Sequence, residues 1–364
     1  MSGPRSPQAL VVLIGTMGLV LLGAGAGAGI GIGSPGTCCP QGDPVLKSAD
    51  DPDALNLLES TVTARSRTSY SGTRMVSSWA VGGATSMLVD VEHVAGQGTV
   101  LTLRGGGVTG GTATFLPTDN DEGTPLGEPG ISSSELLTAS YEVSSRGTDV
   151  VAGREAGVVQ LDRGGILVAR LWIDRASGLL LRREVFDASG QLIGVSAFVD
   201  LDIADGVFID HLPPSRPSTA ADQVSVSAGE QLQAAGWDCP TQLGTLILVA
   251  IEQLGGSGAM HLSYSDGLFR VSLFEQRGTL DAEAMAGLRE IQVGETTAWL
   301  EEGIPSYAVW QGDGIVYTAV SDAPADVLTG VIDSSPPTGV EERGFWGRVG
   351  FGLSRLSVWV SPIV

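Results

Sequence analysis

The chain has 364 residues, with 41 acidic side chains against 20 basic ones and a formal net charge of −21. Such an acidic surface repels phosphate backbones, which excludes nucleic acid as a partner. The length is sufficient for two domains of ordinary size.

Residues 9–33 carry no charged side chain and are long enough to span a bilayer core about 30 Å thick. The strongly apolar part is limited to residues 10–22, and small-residue cleavage sites follow near Ala26. Residues 1–33 therefore form either a cleaved signal peptide or a retained N-terminal anchor. Both alternatives place the rest of the chain outside the cytoplasm, in the periplasm or cell envelope. The Gly- and Pro-containing residues 34–50 predict a stalk.

A helix is predicted to begin at Asp51, because an acidic cap is followed by Pro52 in the first turn. It should end near Thr68. Apolar residues spaced three or four apart form a stripe suited to covering one side of a sheet: Ala54, Leu55, Leu58 and Val62.

Alternating apolar and polar residues predict antiparallel strands through the first half of the chain. They cover residues 70–79, 85–94, 99–104 and 141–151, followed by a meander at 157–161, 166–174, 179–186 and 191–202. Asp-to-Gly turns at 162–165, 174–178 and 187–190 connect the meander. The Gly-rich residues 105–130 predict a loop, and residues 132–137 one helical turn. We expect a large curved antiparallel sheet, a half-open β-barrel covered by helices, over residues 51–212.

Residues 213–220 contain closely spaced prolines and predict a linker. A smaller α+β domain is predicted over residues 221–332. Its elements are strands at 245–253, 260–264, 268–275, 295–300, 306–309 and 315–320, and helices at 281–289 and 324–331.

The C-terminal residues 340–364 form an amphipathic pattern with three arginines. This tail either lies on a membrane surface or a partner, or packs on its own domain. In an oxidising compartment, Cys239 could pair with Cys38 or Cys39.

The sequence offers little support for catalysis. His93, His211 and His261 have no Cys or His at metal-ligand spacing. A G-x-G-x-x-G match at residues 31–36 lies at the end of the export segment, without a βαβ unit. We therefore expect a binding protein without catalytic residues, metal or cofactor. The apolar sheet face could be a ligand cavity or an ordinary filled core.

Several segments resemble the RseB/MucB family of sigma-factor regulatory proteins. In the first half they are residues 54–58 (ALNLL), 70–73 (YSGT), 151–154 (VAGR), 171–174 (LWID), 177–182 (SGLLLR) and 198–201 (FVDL). In the second half they are residues 264–268 (YSDGL) and 271–274 (VSLF). The resemblance covers roughly residues 52–332. Lipoprotein carriers share the meander pattern, so the second-half segments distinguish the two families.

The resemblance implies a lipoprotein-carrier-like domain joined to a small C-terminal domain. It implies a partner, the extracytoplasmic part of a membrane anti-sigma factor, which such proteins shield from proteolysis. It also implies release by an amphiphile, a lipid or lipoprotein, bound in the large domain. The expected function is restraint of an envelope-stress sigma factor, and the alternative is a lipid or lipoprotein carrier.

On this basis, two sets of site residues are predicted. Ligand-binding candidates in the large domain are Trp79, Met87, Trp172, Leu180 and Phe198. Partner-binding candidates in the small domain are Tyr264, Leu268 and Phe274.

Overall fold

The structure is a computed structural model that describes residues 51–80, 83–104, 113–117, 133–203, 221–224, 226, 232, 235–254, 259–303 and 305–335. All of them belong to one compact unit, Ala49–Val364. The predicted export segment 1–33, stalk 34–50, linker 213–220 and tail 340–364 lie outside the described residues. So do Cys38 and Cys39, and most of the predicted loop 105–130.

Within the described part of the chain, the first sheet contains nine antiparallel strands. They are β1 (Tyr70–Ala80), β2 (Gly83–Val94), β3 (Gly98–Arg104), β4 (Ala113–Pro117), β5 (Glu142–Val151), β6 (Arg154–Arg163), β7 (Ile166–Asp174), β8 (Leu180–Phe186) and β9 (Leu192–Ile203). Their spatial order is β4-β3-β2-β1-β9-β8-β7-β6-β5, an open sheet with β4 and β5 at its edges. The predicted meander is confirmed as β6 to β9.

The Asp-to-Gly turns at 174–178 and 187–190 form as predicted. At 162–165 the turn consists of Gly164 and Gly165, and Asp162 lies in β6. The Asp174 carboxylate accepts hydrogen bonds from the backbone N–H and the hydroxyl of Ser177, and Asp187 accepts from the backbone N–H of Ser189. Gly178 and Gly190 close these turns at φ near +79°, where a side chain would be strained.

Helix α1 (Pro52–Arg67) covers one face of this sheet. It begins where predicted, because the Asp51 carboxylate accepts from the N–H of Asp53. Gly157 on β6 allows close approach, since a Cβ there would lie 2.5 Å from a methyl carbon of Leu57. Ala54 and Leu58 are buried as the stripe predicted, but Val62 is 40% exposed. The neighbouring Thr61 is buried instead. Burial of its hydroxyl is tolerated because the hydroxyl donates to the Leu57 carbonyl.

A second helix, α2 (Ser134–Ser140), precedes β5 and confirms the predicted helical turn. Strand β4 corrects the prediction of a continuous loop over 105–130. The loop was predicted because glycine and proline are frequent in this segment. Residues 113–117 nevertheless pair with β3 at the sheet edge, and Pro117 is tolerated because it lies at the strand end.

The second sheet also has nine antiparallel strands. They are β10 (Ala221–Val224), β11 (Gln242–Leu243), β12 (Leu246–Leu254), β13 (Ala259–Ser265), β14 (Arg270–Arg277), β15 (Arg289–Val293), β16 (Thr296–Glu301), β17 (Ser306–Gly312) and β18 (Ile315–Ser321). The order is β10-β12-β13-β14-β18-β17-β16-β15, with β11 paired to β12. Helix α3 (Ala325–Asp333) buries Leu328, Val331 and Ile332 in the main core of this sheet.

One predicted helix of this region is wrong in part. Residues 281–289 contain only a 3-10 helix at Ala282–Met285, capped by the Asp281 carboxylate, and strand β15 begins at Arg289. Gly287, at φ +115°, lies between them and prevents a longer helix.

The two sheets share one hydrophobic core. Leu268, Phe269 and Ala323 come from the second sheet region and pack with Leu58, Leu171 and other residues of the first. The turn between β13 and β14 inserts into this core. Gly267 makes the insertion possible, because a Cβ there would lie 2.4 Å from the backbone nitrogen of Leu137 in α2. The overall architecture is α+β, as predicted.

Candidate functional site

The register of the first sheet separates its side chains into two faces. Phe198 pairs with Arg74, and Met87 pairs with Val76 two residues further along β1, so these side chains share one face. We call it the covered face, because α1 and the β13–β14 turn pack on it. Trp172 pairs with Arg182 on the opposite, open face.

The register therefore divides the five predicted ligand residues between the two faces, although Trp172 and Phe198 belong to one hydrophobic cluster and the partly buried Met87 packs against it. Met87, Leu180 and Phe198 lie on the covered side, where Leu180 packs in the core shared with the second sheet. Trp79 and Trp172 lie on the open face, since Trp79 alternates with Arg74 along β1. Trp79 is 40% exposed, whereas Trp172 is buried against its neighbours.

On the covered face, Phe198 is surrounded by polar as well as apolar groups. The Arg74 guanidinium lies 4.1 Å from the centre of the Phe198 ring, and its Nη2 donates to the Leu180 carbonyl at 3.4 Å. Burial, and secondarily the charge of Arg65, lowers the pKa of Arg74 to about 9. Tyr70 packs edge-on against Phe198. This arrangement can accommodate an apolar body next to a cationic group.

His93 lies further along the same face and serves a structural role. One ring nitrogen lies 2.8 Å from the Thr99 hydroxyl and the other 2.8 Å from the Arg65 carbonyl of α1. The ring also stacks on Tyr70. His93 therefore connects the C-terminal end of α1 to the sheet through hydrogen bonds.

The open face carries a shallow groove of about 600 Å³ across β5, β6 and β7, with Trp172 in its wall. The Trp172 indole N–H donates to the Asp149 carboxylate at 2.9 Å, and the Arg182 guanidinium lies over the ring. Hydrogen bonds from the Val150 backbone and the Trp172 indole lower the pKa of Asp149.

Gln160 organises the charged side chains of this groove. Its carbonyl oxygen accepts from Arg146 at 3.1 Å and from Arg170 at 3.4 Å, while its amide nitrogen donates to Asp162. The groove thus presents charges of both signs, which suits a polar ligand or peptide better than an acyl chain.

A third cluster lies on the covered side, where the β13–β14 turn meets the first sheet. We call it the junction, defined by Tyr141, Arg163, Arg183, Asp266 and Asp322. The buried Asp266 carboxylate accepts 2.6 Å hydrogen bonds from both the Tyr141 hydroxyl and Arg163. Burial, and then the charge of Asp266, raises the pKa of Tyr141 far above its ordinary value.

The same carboxylate also orders its own turn. Its second oxygen accepts the backbone N–H groups of Leu268 and Phe269. Arg183, almost fully buried, donates to Asp322 at 2.5 Å and to the Leu268 carbonyl at 3.3 Å. Charge-assisted hydrogen bonds thus connect the two sheets directly.

The three predicted partner residues occupy three different environments. Tyr264 is fully buried in the second-sheet core, with its hydroxyl donating to the Pro240 carbonyl. Leu268 is buried in the shared core beside the junction. Phe274 is half-buried on the opposite face from Tyr264 and stacks on His261, which contacts Glu252.

Sequence reasoning missed Glu275, a fully buried carboxyl on β14. One oxygen accepts the Asp238 backbone N–H at 3.0 Å, and the other has no hydrogen-bond partner among the described residues. Burial raises the pKa of Glu275 to about 8. The alternation in β14 contained a signal, because Glu275 falls on the same face as the buried Val271 and Leu273.

Within the described ranges, no group of three or more His, Cys, Asp and Glu side chains could hold a metal ion. In the same part of the chain, no helix is both long and apolar enough to cross a membrane.

Comparison with known proteins identifies similarity to one family. Residues 124–220 match the family described as the MucB/RseB N-terminal domain. No curated protein matches the chain. The crystal structure of MucB is 19% identical, covers 79% of this chain and 98% of its own, and gives a TM-score of 0.51. The likeness to MucB shows a shared fold.

Two structures of complexes are also similar. MucB in complex with MucA(peri) is 18% identical, covering 79% of this chain and 100% of its own, with a TM-score of 0.46. The MucA/MucB complex of Pseudomonas aeruginosa is 20% identical over the same shares, with a TM-score of 0.43.

Proposed function

Because residues 124–220 belong to the MucB/RseB N-terminal domain family, we propose that the chain binds the extracytoplasmic part of an anti-sigma factor. By holding that segment, it restrains an envelope-stress sigma factor. The protein acts outside the cytoplasm and performs no catalytic step. The observation that carries the proposal is the family match, supported by a fold shared with MucB across both sheets.

The nature of the partner is inferred from MucB itself, which has been solved in complex with MucA(peri). The partner proposed for this chain is a segment of the same kind. Phe274 is half-buried and stacks on the buried His261, so Phe274 remains a partner-binding candidate. Tyr264 and Leu268 are buried and would affect the partner through the packing beneath it.

A lipid or lipoprotein is the proposed signal, with Met87, Leu180 and Phe198 on the covered face as its candidate contacts. A ligand releases the partner only if it binds the partner-free arrangement more tightly. The junction offers the physical link, because Arg183 on the covered face bonds directly to the β13–β14 turn. A ligand that moves the strands of the covered face apart would therefore strain the β13–β14 turn, which Arg183 contacts at the Leu268 carbonyl.

The test is affinity purification of the full chain from an envelope extract, with mass spectrometry of the recovered proteins and lipids. Phe198→Ala should lower lipid recovery several-fold while leaving the anti-sigma factor bound. Val199→Ala is the matched control, since Val199 is the next residue and is 58% exposed, whereas Phe198 is 4% exposed. Recovery of lipid with no anti-sigma factor from the unaltered chain would contradict the proposal.

A lipid or lipoprotein carrier is the second candidate function, favoured by the covered apolar face of the first sheet. A carrier would transfer lipid between vesicles at a rate that does not depend on the anti-sigma segment. Deleting the second sheet is an unsuitable test, because it would uncover the shared core around Tyr141. Phe198→Ala and Phe274→Ala, compared in transfer and in binding assays, separate the two functions without that damage.

A further inference from the structure

The groove on the open face contains two arginines that share one neutral acceptor. The side-chain oxygen of Gln160 accepts from Arg146 Nε at 3.1 Å and from Arg170 Nε at 3.4 Å. The other end of the amide fixes this orientation, because its nitrogen donates to both carboxylate oxygens of Asp162. The two guanidinium groups therefore lie side by side, although like charges repel each other.

Strand pairing places the other side chains of the groove next to this pair. Gln160 on β6 is the cross-strand partner of Arg170 on β7. Val158 and Trp172 are partners two residues further along the same strands, so all four side chains lie on the open face. The groove therefore has a polar row and an apolar row in contact.

Arg146 reaches the groove from a β-bulge in β5. Ser145 pairs with Val159 and Thr148 pairs with Gly157, so residues 146 and 147 together oppose a single residue of β6. The residue after Arg146 is glycine and adopts φ +85°, which a larger side chain would disfavour. A bulge changes the direction of a side chain, and here it allows Arg146 to bond to Gln160.

Neither Arg146 nor Arg170 forms an ion pair with an acid among the described residues. Each uses its Nε for the neutral Gln160 oxygen, and no described residue accepts from their terminal Nη groups. Other arginines of the described chain pair with carboxylates, as Arg154 does with Asp174. Two adjacent guanidinium groups thus keep donors for an anion that the described chain does not supply.

The two acids beside these arginines bond to neutral donors instead. Asp149 accepts the Trp172 indole N–H at 2.9 Å and the Val150 backbone N–H at 2.8 Å. Asp162 accepts from the Gln160 amide. Because both acids repel further negative charge, a singly charged carboxylate fits this site better than a doubly charged phosphate.

We propose that the groove binds an acidic side chain of an extended polypeptide, whose carboxylate accepts from the terminal nitrogens of Arg146 and Arg170. Guanidinium groups bind carboxylates through paired N–H donors. The groove is shallow, which suits an extended segment better than an enclosed small molecule. The inference rests on the proposed function, because the anti-sigma segment is the polypeptide that would supply the acid.

The first test is fluorine NMR of the full chain labelled with fluorotryptophan, because Trp172 lines the groove and reports on its occupation. The signal of Trp172 is the one that Trp172→Phe removes. The probe is a short synthetic peptide with one central glutamate, and the control peptide has glutamine at that position. We expect the glutamate peptide to shift the Trp172 signal until the site is saturated, and binding to weaken as salt is added. The glutamine peptide should leave the signal unchanged.

Arg146→Gln and Arg170→Gln should each weaken binding of the glutamate peptide about tenfold, because each removes charge-assisted hydrogen bonds. Arg175→Gln is the matched control, since Arg175 is exposed and pairs with Glu155 outside the groove. Gln160→Glu keeps both arginines but places a carboxylate of the chain against them, so it should also weaken binding. Unchanged signals from the other six tryptophans verify that each variant is folded.

Two results of the titration would overturn the proposal directly. One is equal binding of the glutamate and glutamine peptides, and the other is equal affinity of Arg170→Gln and Arg175→Gln for the glutamate peptide. A Trp172 response to inorganic phosphate or to phosphatidylglycerol vesicles, without a response to the glutamate peptide, would also overturn it and identify a phosphate group as the ligand.

A second test separates this contact from the proposed function. In the envelope pull-down, the double variant of Arg146→Gln and Arg170→Gln should recover several-fold less anti-sigma factor than Arg175→Gln does. Equal recovery overturns the groove contact and leaves the proposed function intact. Failure of the unaltered chain to recover any anti-sigma factor contradicts the proposed function, while the peptide titration still decides whether the groove binds an acidic side chain.

Discussion

Asp266 and Glu275 are two buried carboxyl groups from the same region of the second sheet, and their surroundings are opposite. Asp266 lies at the junction and accepts from Tyr141, Arg163 and two backbone N–H groups. Glu275 lies in the second-sheet core with the Asp238 N–H as its donor, and no arginine of the described residues bonds to it. One arginine, one tyrosine hydroxyl and two backbone N–H groups donate to Asp266, whereas burial raises the pKa of Glu275 and favours its protonated form. The first arrangement connects two sheets, and the second makes one sheet sensitive to pH.

The largest expected effect comes from breaking the junction. Asp266→Ala should lower the free energy of unfolding by about 3–5 kcal/mol, because four donors lose a buried acceptor. The measurement is chemical denaturation at pH 7. Glu155→Ala is the control, since its ion pair with Arg175 is exposed and should contribute under about 1 kcal/mol. Equal losses of unfolding free energy in the two variants would show that Asp266 stabilises the fold no more than an exposed ion pair does.

Glu275 should make the folded state less stable as the pH rises. Its pKa in the folded chain is about 8, above the ordinary value of 4.5. The folded state therefore holds a proton that the unfolded state releases, and this stabilisation is complete below about pH 4.5 and lost as pH rises through 8. The loss is on the order of 1 kcal/mol per pH unit in that window.

Thermal unfolding between pH 5 and 8.5 measures this dependence. Glu275→Gln keeps the shape of the protonated carboxyl and should flatten the profile, with a higher melting temperature than the unaltered chain at pH 8. Glu301→Gln, an exposed acid on β16, should leave the profile unchanged. A profile that Glu275→Gln does not alter would show that Glu275 is not the titrating group.

The smallest of these effects concerns Arg163, which shares the junction with Tyr141. Arg163→Met should cost about 1–3 kcal/mol, because Asp266 keeps its tyrosine and backbone donors. Arg175→Met is the matched control on the exposed pair. Combining Arg163→Met with Asp266→Ala tests coupling, and the double variant should lose less than the sum of the two single losses. Additive losses would mean that the two residues stabilise the fold independently.

Local patterns predicted the strands and turns because their causes are local. The Asp-to-Gly turn at 174–178 contains both its acceptor and its positive-φ glycine, so a short segment suffices to define it. The division of Trp79 and Phe198 between two faces could not be predicted. It depends on a register shift between β1 and β9 near Arg74, which no alternation pattern records.

The junction was beyond prediction for a different reason. Asp266 lies in the turn between β13 and β14, and its carboxylate orders that turn by accepting from Leu268 and Phe269. Its bond to Arg163 joins residues 103 apart in the sequence. Such a contact depends on how both sheets pack, and no spacing in the sequence encodes it. Val62 shows the same limit on a smaller scale, since only the packed helix reveals that Thr61 takes the inner position.

The insertion of the β13–β14 turn beside α2 also has a consequence for folding kinetics. The Tyr141 hydroxyl bonds to Asp266, which lies 125 residues later in the chain. Contacts between residues so far apart in sequence slow folding. A chain synthesised from its N-terminus holds Leu137 and Tyr141 without their cover until Gly267 has been added. During that interval the first sheet exposes an apolar surface that a chaperone could bind, and completion of the turn removes it.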